Sequence, residues 1–477
     1  MEVMRIEELA QLCDAQLLRG DPTSSVARIS TDTRALGRGD CFIALRGSRF
    51  DGHQFVLDAA NRGASAAVVS NPTCAMNSPS ALALLQVQDT LTALHKLATN
   101  YRRLMPPTLR VIAVSGACGK TTTKEMIASV LSQRFHVAKT YGNHNNHIGT
   151  PLSLLALTDQ HEFGVFELGS NHPGEMQALA ELVRPDIGVV TNIGLAHAEF
   201  FGDEAGVARE EGVPLEFLPR NGDGLAVLNA DDKWCDELRK RTRATVVTVG
   251  IDKFADFRAS EIKINGDPAD GGAGVKFRLN IAKKRDDVIV RLKTLGRHQI
   301  YNALQAAAVG YMQGMDLDEI REGLETVEYP AMRMQEVVIG GARFVNDCYN
   351  ANVPSMKAAL DSIRETPCIG RRIAVLGDMA ELGARARQAH LDMGAMAANC
   401  GLALLVTVGQ AGRWIAEAAV EAGMEMHRVL PLATATEAAE SLVPLVREGD
   451  LVLVKGSRRL QLETILEVFG DSDDVTR

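Results

Sequence analysis

The chain has 477 residues, of which 46% are hydrophobic and 23% charged, and its formal net charge is −9. At ~100–200 residues per domain, this length predicts three domains. The acidic balance disfavours binding to nucleic acid, which requires a basic face to neutralise phosphates. No apolar run reaches the ~20 residues needed to cross a bilayer, and the N-terminus lacks the apolar core of a signal peptide. Eight scattered cysteines without a CxxC pair predict neither a disulfide framework nor a zinc site, so we expect a cytoplasmic protein without membrane insertion.

The first section of the chain, residues 1–105, has short strand-like runs such as 65–70 and an amphipathic stretch at 90–103. Met105, Pro106 and Pro107 follow that stretch. Because proline cannot continue a helix, these residues predict its end and a linker to the next domain.

The second section, residues 106–329, opens with a β-branched run at 110–114 that is typical of a buried strand. A glycine-rich turn and a helical pattern at 122–132 follow it. Further apolar runs alternate with helical segments, at 164–168, 187–191 and 225–228. This alternation predicts a mostly parallel sheet with helices on both faces.

Tyr329 and Pro330 mark a second boundary, so the third predicted domain covers residues 330–477. Its strand-like runs lie between alanine-rich helical segments, at 343–347, 372–376, 404–408 and 451–454. Asp347 and Asp378 stand where two of these strands end, which is where open α/β sheets usually place ligand-binding groups.

A glycine-rich turn from Ser115 to Thr121 follows the first strand of the second section and begins a helix. Backbone N–H groups of such a turn can bind phosphates, Lys120 can reach the β- and γ-phosphates, and the Thr121 hydroxyl can bind Mg²⁺. Val114 stands at the first glycine position of the full G-x-x-x-x-G-K-[ST] pattern, which leaves the shorter G-x-x-G-K-T form. The alternative is a glycine-rich turn that contains a lysine by chance, but the flanking strand and helix favour a nucleoside triphosphate site.

Two further side chains follow predicted strands and suit a magnesium site: Glu167 at the end of one and His197 after the next. Mg²⁺ prefers carboxylate, hydroxyl and water oxygens. A histidine by itself is more often a surface or core residue, but its place beside a second strand end favours a ligand role. The acidic pair Glu210 and Glu211 is equally compatible with an exposed helix face.

Motifs spread over nearly the whole chain carry a resemblance to a known family. In chain order they are Asp32-Thr33-Arg34, Gly39-Asp40, Phe42, Gly47 and Asp51-Gly52-His53; the loop at 116–121; Asn143-His144-Asn145-Asn146 with Gly149; Glu167-Leu168-Gly169 through Gly174-Glu175; Thr191-Asn192-Ile193-Gly194 with Ala196-His197; Gly296-Arg297-His298 with Asn302; Asp347-Cys348-Tyr349-Asn350-Ala351-Asn352 with Pro354-Ser355; Leu376-Gly377-Asp378-Met379 with Glu381-Leu382-Gly383; and Val454-Lys455-Gly456-Ser457-Arg458. Together and in this order, they resemble the Mur ligase family.

The resemblance implies an α/β fold with three domains: a small N-terminal α/β domain at 1–105 that binds a UDP-linked substrate, a central P-loop-type ATPase domain with a mostly parallel sheet at 106–329, and a Rossmann-like C-terminal domain at 330–477 that binds the amine substrate and contacts the nucleotide. It implies an ADP-forming ligase, acting as a monomer with ATP and Mg²⁺, in the branch that adds D-Ala-D-Ala to UDP-MurNAc-tripeptide. The product would be the UDP-MurNAc-pentapeptide precursor of peptidoglycan.

The matching positions imply specific roles for residues of this chain. Catalytic roles fall to Lys120, Glu167, His197 and Glu211. Metal binding falls to Thr121, Glu167, His197 and Glu211. ATP binding falls to Gly116, Ala117, Cys118, Gly119, Lys120, Thr121, Thr122, Asn302, Arg333 and Asp347. Binding of the UDP substrate falls to Thr33, Arg34, Gly47, Asn145 and Asn146, and binding of the dipeptide to Tyr349, Asn350 and Asn352.

One position departs from the family pattern. The family usually carries a lysine after the histidine motif, carbamylated so that it offers a carboxylate-like group to a second Mg²⁺. Counting from His197 places Glu211 at that position. We expect Glu211 to supply a permanent carboxylate in its place; the alternative is that Glu211 is exposed and the second metal site is weak or lost.

Three other functions remain open at this point. A sibling ligase could add another amino acid to the muramyl nucleotide or glutamates to folate. A P-loop small-molecule kinase would release a phosphorylated product without an amine, and a nucleotide-binding regulator would bind ATP without turnover. Cys118 is either an oxidation-prone thiol at a helix N-terminus or inert packing.

Overall fold

The computed structural model describes residues 1–47, 50–75, 78–220, 222–265, 274–282, 284 and 286–476. The chain forms two compact units. Unit 1 comprises Met1–Ala113, Phe135–Gly169 and Glu175–Ile187, and unit 2 comprises Val114–Arg134, Ser170–Gly174 and Gly188–Arg477.

Helices and strands alternate along most of the chain. The helices are α1 (Ile6–Cys13), α2 (Val56–Asn61), α3 (Thr90–Leu104), α4 (Lys120–Leu131), α5 (Gly149–Leu155), α6 (Glu175–Val183), α7 (Ala198–Phe201), α8 (Glu204–Glu211), α9 (Cys235–Arg239), α10 (His298–Met312), α11 (Leu317–Glu325), α12 (Val353–Glu365), α13 (Ala386–Ala398), α14 (Gly412–Glu421), α15 (Ala435–Leu442) and α16 (Thr464–Thr476). The strands are β1 (Met4–Arg5), β2 (Gln16–Arg19), β3 (Ser25–Val26), β4 (Ile29–Ser30), β5 (Cys41–Ile43), β6 (Ala66–Val69), β7 (Ala83–Gln86), β8 (Arg110–Ser115), β9 (Val137–Lys139), β10 (Phe163–Glu167), β11 (Ile187–Val190), β12 (Leu225–Asn229), β13 (Thr245–Gly250), β14 (Phe257–Asn265), β15 (Gly274–Ile281), β16 (Asp286–Leu292), β17 (Gln335–Ile339), β18 (Ala342–Asn346), β19 (Arg372–Gly377), β20 (Leu404–Val408), β21 (Val429–Leu432) and β22 (Leu451–Lys455). Short 3₁₀ turns lie at Thr33–Ala35, Gly52–Phe55, Pro72–Ala75, Val213–Phe217, Gly383–Arg385, Met426–Arg428 and Arg458–Leu460.

Unit 1 contains a small sheet with the strand order β2-β7-β6-β5-β4. The pairs β4–β5, β5–β6 and β6–β7 are parallel, and β2 adds an antiparallel edge. Helix α3 begins where the Asp89 side chain accepts a hydrogen bond from the Thr92 N–H at 2.7 Å, a standard N-cap. It ends at Leu104, before Pro106, as the sequence predicts.

Unit 2 contains a run of strands in the order β16-β15-β14-β13-β12-β11. Strands β12, β13 and β14 pair in parallel, whereas β14, β15 and β16 form an antiparallel meander that the sequence analysis did not predict. Helix α10 packs against α4, and Gly310 lies at the contact. A side chain at Gly310 would lie 2.6 Å from Val130, so the two helices approach closely only because that position is glycine.

The C-terminal part of unit 2 forms a second sheet, in the order β17-β18-β22-β19-β20-β21. All its neighbouring strands are parallel except β17, which pairs antiparallel with β18 at one edge. Alternate residues of β22 enter two separate apolar cores, Leu453 on one face and Val452 on the other. Helices therefore cover both faces, which explains why this strand is a continuous apolar run.

The α/β fold class with mostly parallel sheets, predicted from the sequence, is confirmed. Over the described residues, no helix combines the length and apolar character needed to span a bilayer.

Candidate active site

The phosphate-binding loop predicted between β8 and α4 is present, and its shape depends on two glycines. Gly116 and Gly119 have φ angles of 126° and 82°, which side chains rarely adopt. A Cβ at Gly116 would lie 2.1 Å from Thr191 Oγ1, and one at Gly119 would lie 2.8 Å from Asn302 Oδ1. The loop therefore fits against its neighbours only with glycine at both positions.

The first half of the loop is fixed by the segment that follows β11. The Ala117 N–H donates to the Asn192 carbonyl at 2.9 Å, and the Cys118 N–H donates to Asn192 Oδ1 at 3.2 Å. Thr191 Oγ1 donates to the Cys118 carbonyl at 2.7 Å. The T-N-I-G motif thus shapes the loop.

The second half of the loop is the N-terminus of α4. Helix α4 begins at Lys120, and its N-cap, Gly119, offers no side-chain cap. The first N–H groups of a helix have no partner inside the helix, and they carry partial positive charge. Lys120, Thr121 and Thr122 therefore offer backbone donors suited to phosphate oxygens.

Lys120 and Glu211 lie together at this loop. Glu211 ends α8 and has a side chain that is 1% exposed, and its Oε1 is 3.8 Å from Lys120 Nζ. Glu211 Oε2 accepts a hydrogen bond from the Gly116 N–H at 2.7 Å, and Lys120 Nζ donates to the Gly116 carbonyl. The alternative that Glu211 lies on the surface is wrong, because α8 packs this residue against the loop.

Asn302 supports the loop from α10. The residue is buried, its Oδ1 accepts from Thr123 Oγ1 at 3.2 Å, and its Nδ2 donates to Gln299 Oε1 at 2.8 Å. In this arrangement the Asn302 amide positions Gly119 and the first turn of α4.

His197 pairs with Glu381, a residue of the L-G-D-M motif region that the sequence analysis did not assign to the site. The Nδ1 atom of the His197 ring hydrogen-bonds Glu381 Oε2. Both residues have left-handed backbone, with φ angles of 50° and 58°, and the Glu199 N–H donates to the Glu381 carbonyl at 3.1 Å. Strained backbone of this kind concentrates at functional sites, so the pair is a candidate for a positioning role.

Arg333, Asp347 and Tyr349 come together beside Lys455. The Arg333 guanidinium carbon lies 4.1 Å from the centre of the Tyr349 ring, which is the geometry of a cation–π contact. Lys455 is buried, and its Nζ lies 2.6 Å from Asp347 Oδ2 and 3.0 Å from the Asn350 carbonyl. Lys455 thus fixes the segment from Asp347 to Asn350, a role that only long-range contacts reveal.

Asn352 connects the predicted dipeptide-binding block to the phosphate loop. Its Nδ2 donates to the Ala117 carbonyl at 3.1 Å. Its Oδ1 accepts from the Ser355 N–H at 3.0 Å and caps α12. A residue predicted for the dipeptide and residues predicted for ATP are therefore in direct contact.

A cavity of about 250 Å³ opens at this junction. Its lining residues are Ala196, His197, Asn350, Ala351, Asn352, Ala380, Glu381, Ser457, Arg458 and Arg459. Ser457 is 3% exposed, and its Oγ has no hydrogen-bond partner among the described residues. Arg459 Nη2 lies 3.2 Å from Asp378 Oδ2, and the arginine side chain is otherwise exposed. Ser457 and Arg458 belong to the V-K-G-S-R motif and Arg459 follows it, but the motif by itself predicted no site role for these three residues.

The residues predicted for the UDP substrate lie in unit 1, as does Glu167. Asn145 Nδ2 donates to Glu167 Oε1 at 2.7 Å, and Asn146 Oδ1 accepts from the Gly149 N–H at 2.9 Å. Thr33 begins a 3₁₀ turn whose N-cap, Asp32, accepts from the Arg34 N–H. The Gly47 N–H donates to the Phe50 carbonyl at 2.9 Å.

Oxygen donors suited to Mg²⁺ are present. In unit 2, Thr121 is buried in the first turn of α4, and Glu211 offers a buried carboxylate. In unit 1, Glu167 offers another buried carboxylate. In the part of the chain that the structure describes, no three His, Cys, Asp or Glu side chains form a preformed metal cluster.

Cys118 has the character of a packing residue. Burial raises the pKa of its thiol above the ordinary value, and its Sγ lies 3.4 Å from Asn192 Oδ1. Because the thiolate is the reactive form, this environment favours the inert alternative.

Comparisons with known proteins cover nearly the whole chain. Three family models match the chain. The model "Mur ligase family, catalytic domain" matches residues 25–102, and the model "Mur ligase middle domain" matches residues 114–310. The model "Mur ligase, glutamate ligase domain" matches residues 332–458. The UDP-N-acetylmuramoyl-tripeptide--D-alanyl-D-alanine ligase of Escherichia coli is 35% identical over 477 residues, which is 98% of each chain.

Solved structures agree with these matches. The crystal structure of MurF from Acinetobacter baumannii has a TM-score of 0.87 at 32% identity and covers 99% of each chain. The MurF ligase of Thermotoga maritima, solved in complex with ADP, has a TM-score of 0.80 at 25% identity and covers 95% of this chain and 99% of its own. The resemblance drawn from the motifs is confirmed, and the chain belongs to the Mur ligase family.

Proposed function

We propose that this chain is an ATP-dependent, ADP-forming ligase that adds D-Ala-D-Ala to UDP-MurNAc-tripeptide through an acyl phosphate. The single observation that carries the proposal is the contact between Asn352 and the Ala117 carbonyl. It puts the Y-N-A-N block directly against a phosphate loop whose helix N-terminus is uncapped. Phosphoryl transfer and attack by an amine require this proximity.

The chemistry explains why a nucleotide site is needed. A carboxylate is a poor acyl donor, so its oxygen first attacks the γ-phosphorus of ATP, and ADP leaves. The amine of the dipeptide then attacks the acyl carbon, and phosphate leaves with the bridging oxygen. Lys120 and the N–H groups of Thr121 and Thr122 would neutralise charge on the transferred group.

Gly116, Ala117, Cys118 and Gly119 complete the loop of the proposed ATP site, together with Asn302, Arg333 and Asp347. Their supporting geometry is the fixed loop and the cluster of Arg333, Tyr349, Asp347 and Lys455. Thr121, His197 and Glu211 are the proposed ligands of Mg²⁺ in unit 2, and Glu167 of unit 1 is proposed as a ligand from its motif position alone. When bound, the ion would neutralise phosphate charge and the developing charge on the acyl group.

The cavity beside Asn350 and Asn352 is the proposed dipeptide site. D-Ala-D-Ala carries one carboxylate, and guanidinium groups match a carboxylate in shape and charge. Arg458 pairs with Glu463 and Arg459 with Asp378, and each guanidinium has further N–H donors that would serve the dipeptide. The hydroxyl of Ser457, which has no other partner among the described residues, would complete that recognition. Tyr349 would be held in position beside this site by its cation–π contact with Arg333.

We assign substrates to domains in chain order. Residues 1–105, with Thr33, Arg34 and Gly47, would bind the UDP group, and Asn145 and Asn146 would contribute from residues 106–329, the ATPase domain. Residues 330–477 would bind the amine and contact the nucleotide. The chain would act as a monomer in the cytoplasm, a reducing compartment that contains ATP and UDP-linked precursors.

The test combines the purified chain with ATP, Mg²⁺ and UDP-MurNAc-tripeptide, with and without D-Ala-D-Ala. We expect phosphate release only when the dipeptide is present, matched one for one by UDP-MurNAc-pentapeptide in the mass spectrum. A phosphorylated product without the dipeptide would indicate a kinase. Amide formation with a single amino acid but not with the dipeptide would indicate a sibling ligase.

A further inference from the structure

Glu211 makes contacts that metal binding does not explain. Helix α8 is packed against the phosphate loop by an apolar cluster of Ala117, Ala196, Phe201 and Val207. This packing places the last residue of the helix, Glu211, under the start of the loop. Its backbone carbonyl accepts from Ser115 Oγ at 2.7 Å, so main chain and side chain both hold the loop.

The N–H groups in the first half of the loop already have acceptors within the protein, and Glu211 is one of these acceptors. Gly116, Ala117 and Cys118 donate their N–H groups to Glu211, to the Asn192 carbonyl and to Asn192 Oδ1. Only the donors from the helix N-terminus onward remain oriented for a ligand. The Gly116 N–H is therefore not available to a phosphate while Glu211 accepts from it.

The position of the carboxylate resembles that of a bound phosphate oxygen. It accepts a loop N–H at 2.7 Å and lies 3.8 Å from the Lys120 ammonium group. A buried anion beside a lysine satisfies the same charge that nucleotide phosphates would satisfy. Glu211 and the phosphates therefore compete for Lys120.

We propose that Glu211 is a positioning residue that holds Lys120 and the start of the phosphate loop in the nucleotide-free protein, and that the nucleotide phosphates take Lys120 over when they bind. This inference rests on the proposed nucleotide site. In this role, Glu211 keeps the phosphate loop ordered before ATP binds and lowers the affinity of the loop for nucleotide. This positioning role does not require a metal ion, so it can be tested separately from any role of Glu211 as a magnesium ligand.

The test is binding of ADP in EDTA, measured by titration calorimetry. Glu211→Gln keeps an acceptor for the Gly116 N–H but removes the charge that competes for Lys120, so we expect metal-free ADP to bind roughly tenfold more tightly. Glu210→Gln is the matched control, because it removes the charge of the neighbouring buried carboxylate. Oε2 of that carboxylate accepts a hydrogen bond from the Gly174 N–H at 3.0 Å. We expect the control to bind ADP as the unsubstituted chain does.

Several outcomes separate the possibilities. Damage to the fold would weaken binding, so tighter binding cannot come from a purely structural effect. Unchanged or weaker binding by a folded Glu211→Gln variant would overturn the inference. If that variant fails to fold, Glu211→Asp, which withdraws the carboxylate by one methylene, should show the same change at smaller size, and an affinity equal to that of the unsubstituted chain would overturn the inference. Failure of the unsubstituted chain to bind ADP at all would instead remove the proposed nucleotide site.

Discussion

Lys455 Nζ lies 2.6 Å from Asp347 Oδ2, and the lysine side chain is only 2% exposed. The same ammonium group reaches the Asn350 carbonyl. One buried cation therefore holds both ends of the segment from Asp347, a proposed ATP-binding residue, to Asn350, a proposed dipeptide-binding residue.

Removing this cation should destabilise the fold. Lys455→Met leaves the Asp347 carboxylate without its charged partner, and breaking such a buried pair costs about 3–5 kcal/mol. We expect a clear drop in the thermal unfolding midpoint. The double variant Lys455→Met/Asp347→Asn should recover part of that loss, because it also removes the uncompensated charge. A midpoint that does not move in the single variant would show that the pair contributes little.

The Arg333–Tyr349 contact should affect ATP binding. Tyr349→Leu removes the ring under the guanidinium, a contact worth about 1 kcal/mol, and we expect KM for ATP to rise about fivefold. Tyr349→Phe keeps the ring and should leave KM for ATP nearly unchanged. Equal effects of the two substitutions would point to the hydroxyl rather than to the cation–π contact.

The cavity arginines should determine affinity for the dipeptide. Arg459→Gln removes the proposed charge-assisted hydrogen bond to the dipeptide carboxylate, which is worth about 1.5–3 kcal/mol. KM for D-Ala-D-Ala should therefore rise roughly ten- to a hundredfold, while KM for ATP stays constant. Arg413→Gln, at an exposed position of α14, is the control and should change neither. Equal increases in both KM values would contradict a specific role in dipeptide binding.

His298 should make stability depend on pH. Burial lowers the pKa of His298 from 6.5 to about 4, so the folded protein keeps this ring neutral where the unfolded chain takes up a proton. The contribution is fully present above pH 6.5 and is lost as the pH falls toward 4, up to about 3 kcal/mol. Unfolding midpoints measured between pH 7 and pH 4 should fall less steeply for His298→Gln, while exposed His427→Gln should match the unsubstituted chain. Parallel curves for all three proteins would refute this.

Local patterns in the sequence predicted the elements that surround the site. The strand predicted at 404–408 is β20, and the strand predicted at 110–114 is β8 with one more residue. Helix α4 begins two residues before the predicted 122, because Gly119 adopts a left-handed conformation and places Lys120 in the first turn. The motifs were sufficient to predict the fold class.

The contacts that position the site could not be predicted in this way. Gly116 and Glu211 are 95 residues apart, and His197 and Glu381 are 184 residues apart. Periodicity and turn chemistry reflect neighbours along the chain, whereas these pairs arise from helix packing and crossover connections. The antiparallel strands β15 and β16 were missed, although their sequences alternate, because no clear hairpin signal stands between the two runs.

The most direct measurement uses UDP-MurNAc-tripeptide labelled with ¹⁸O in the carboxylate that accepts the dipeptide, incubated with ATP, Mg²⁺, D-Ala-D-Ala and the purified chain. If the carboxylate is activated as an acyl phosphate, each phosphate released will carry one ¹⁸O atom, and each pentapeptide will retain the other in its new amide. Pentapeptide formed together with unlabelled phosphate would contradict the acyl phosphate, and the absence of pentapeptide would contradict the proposed ligase.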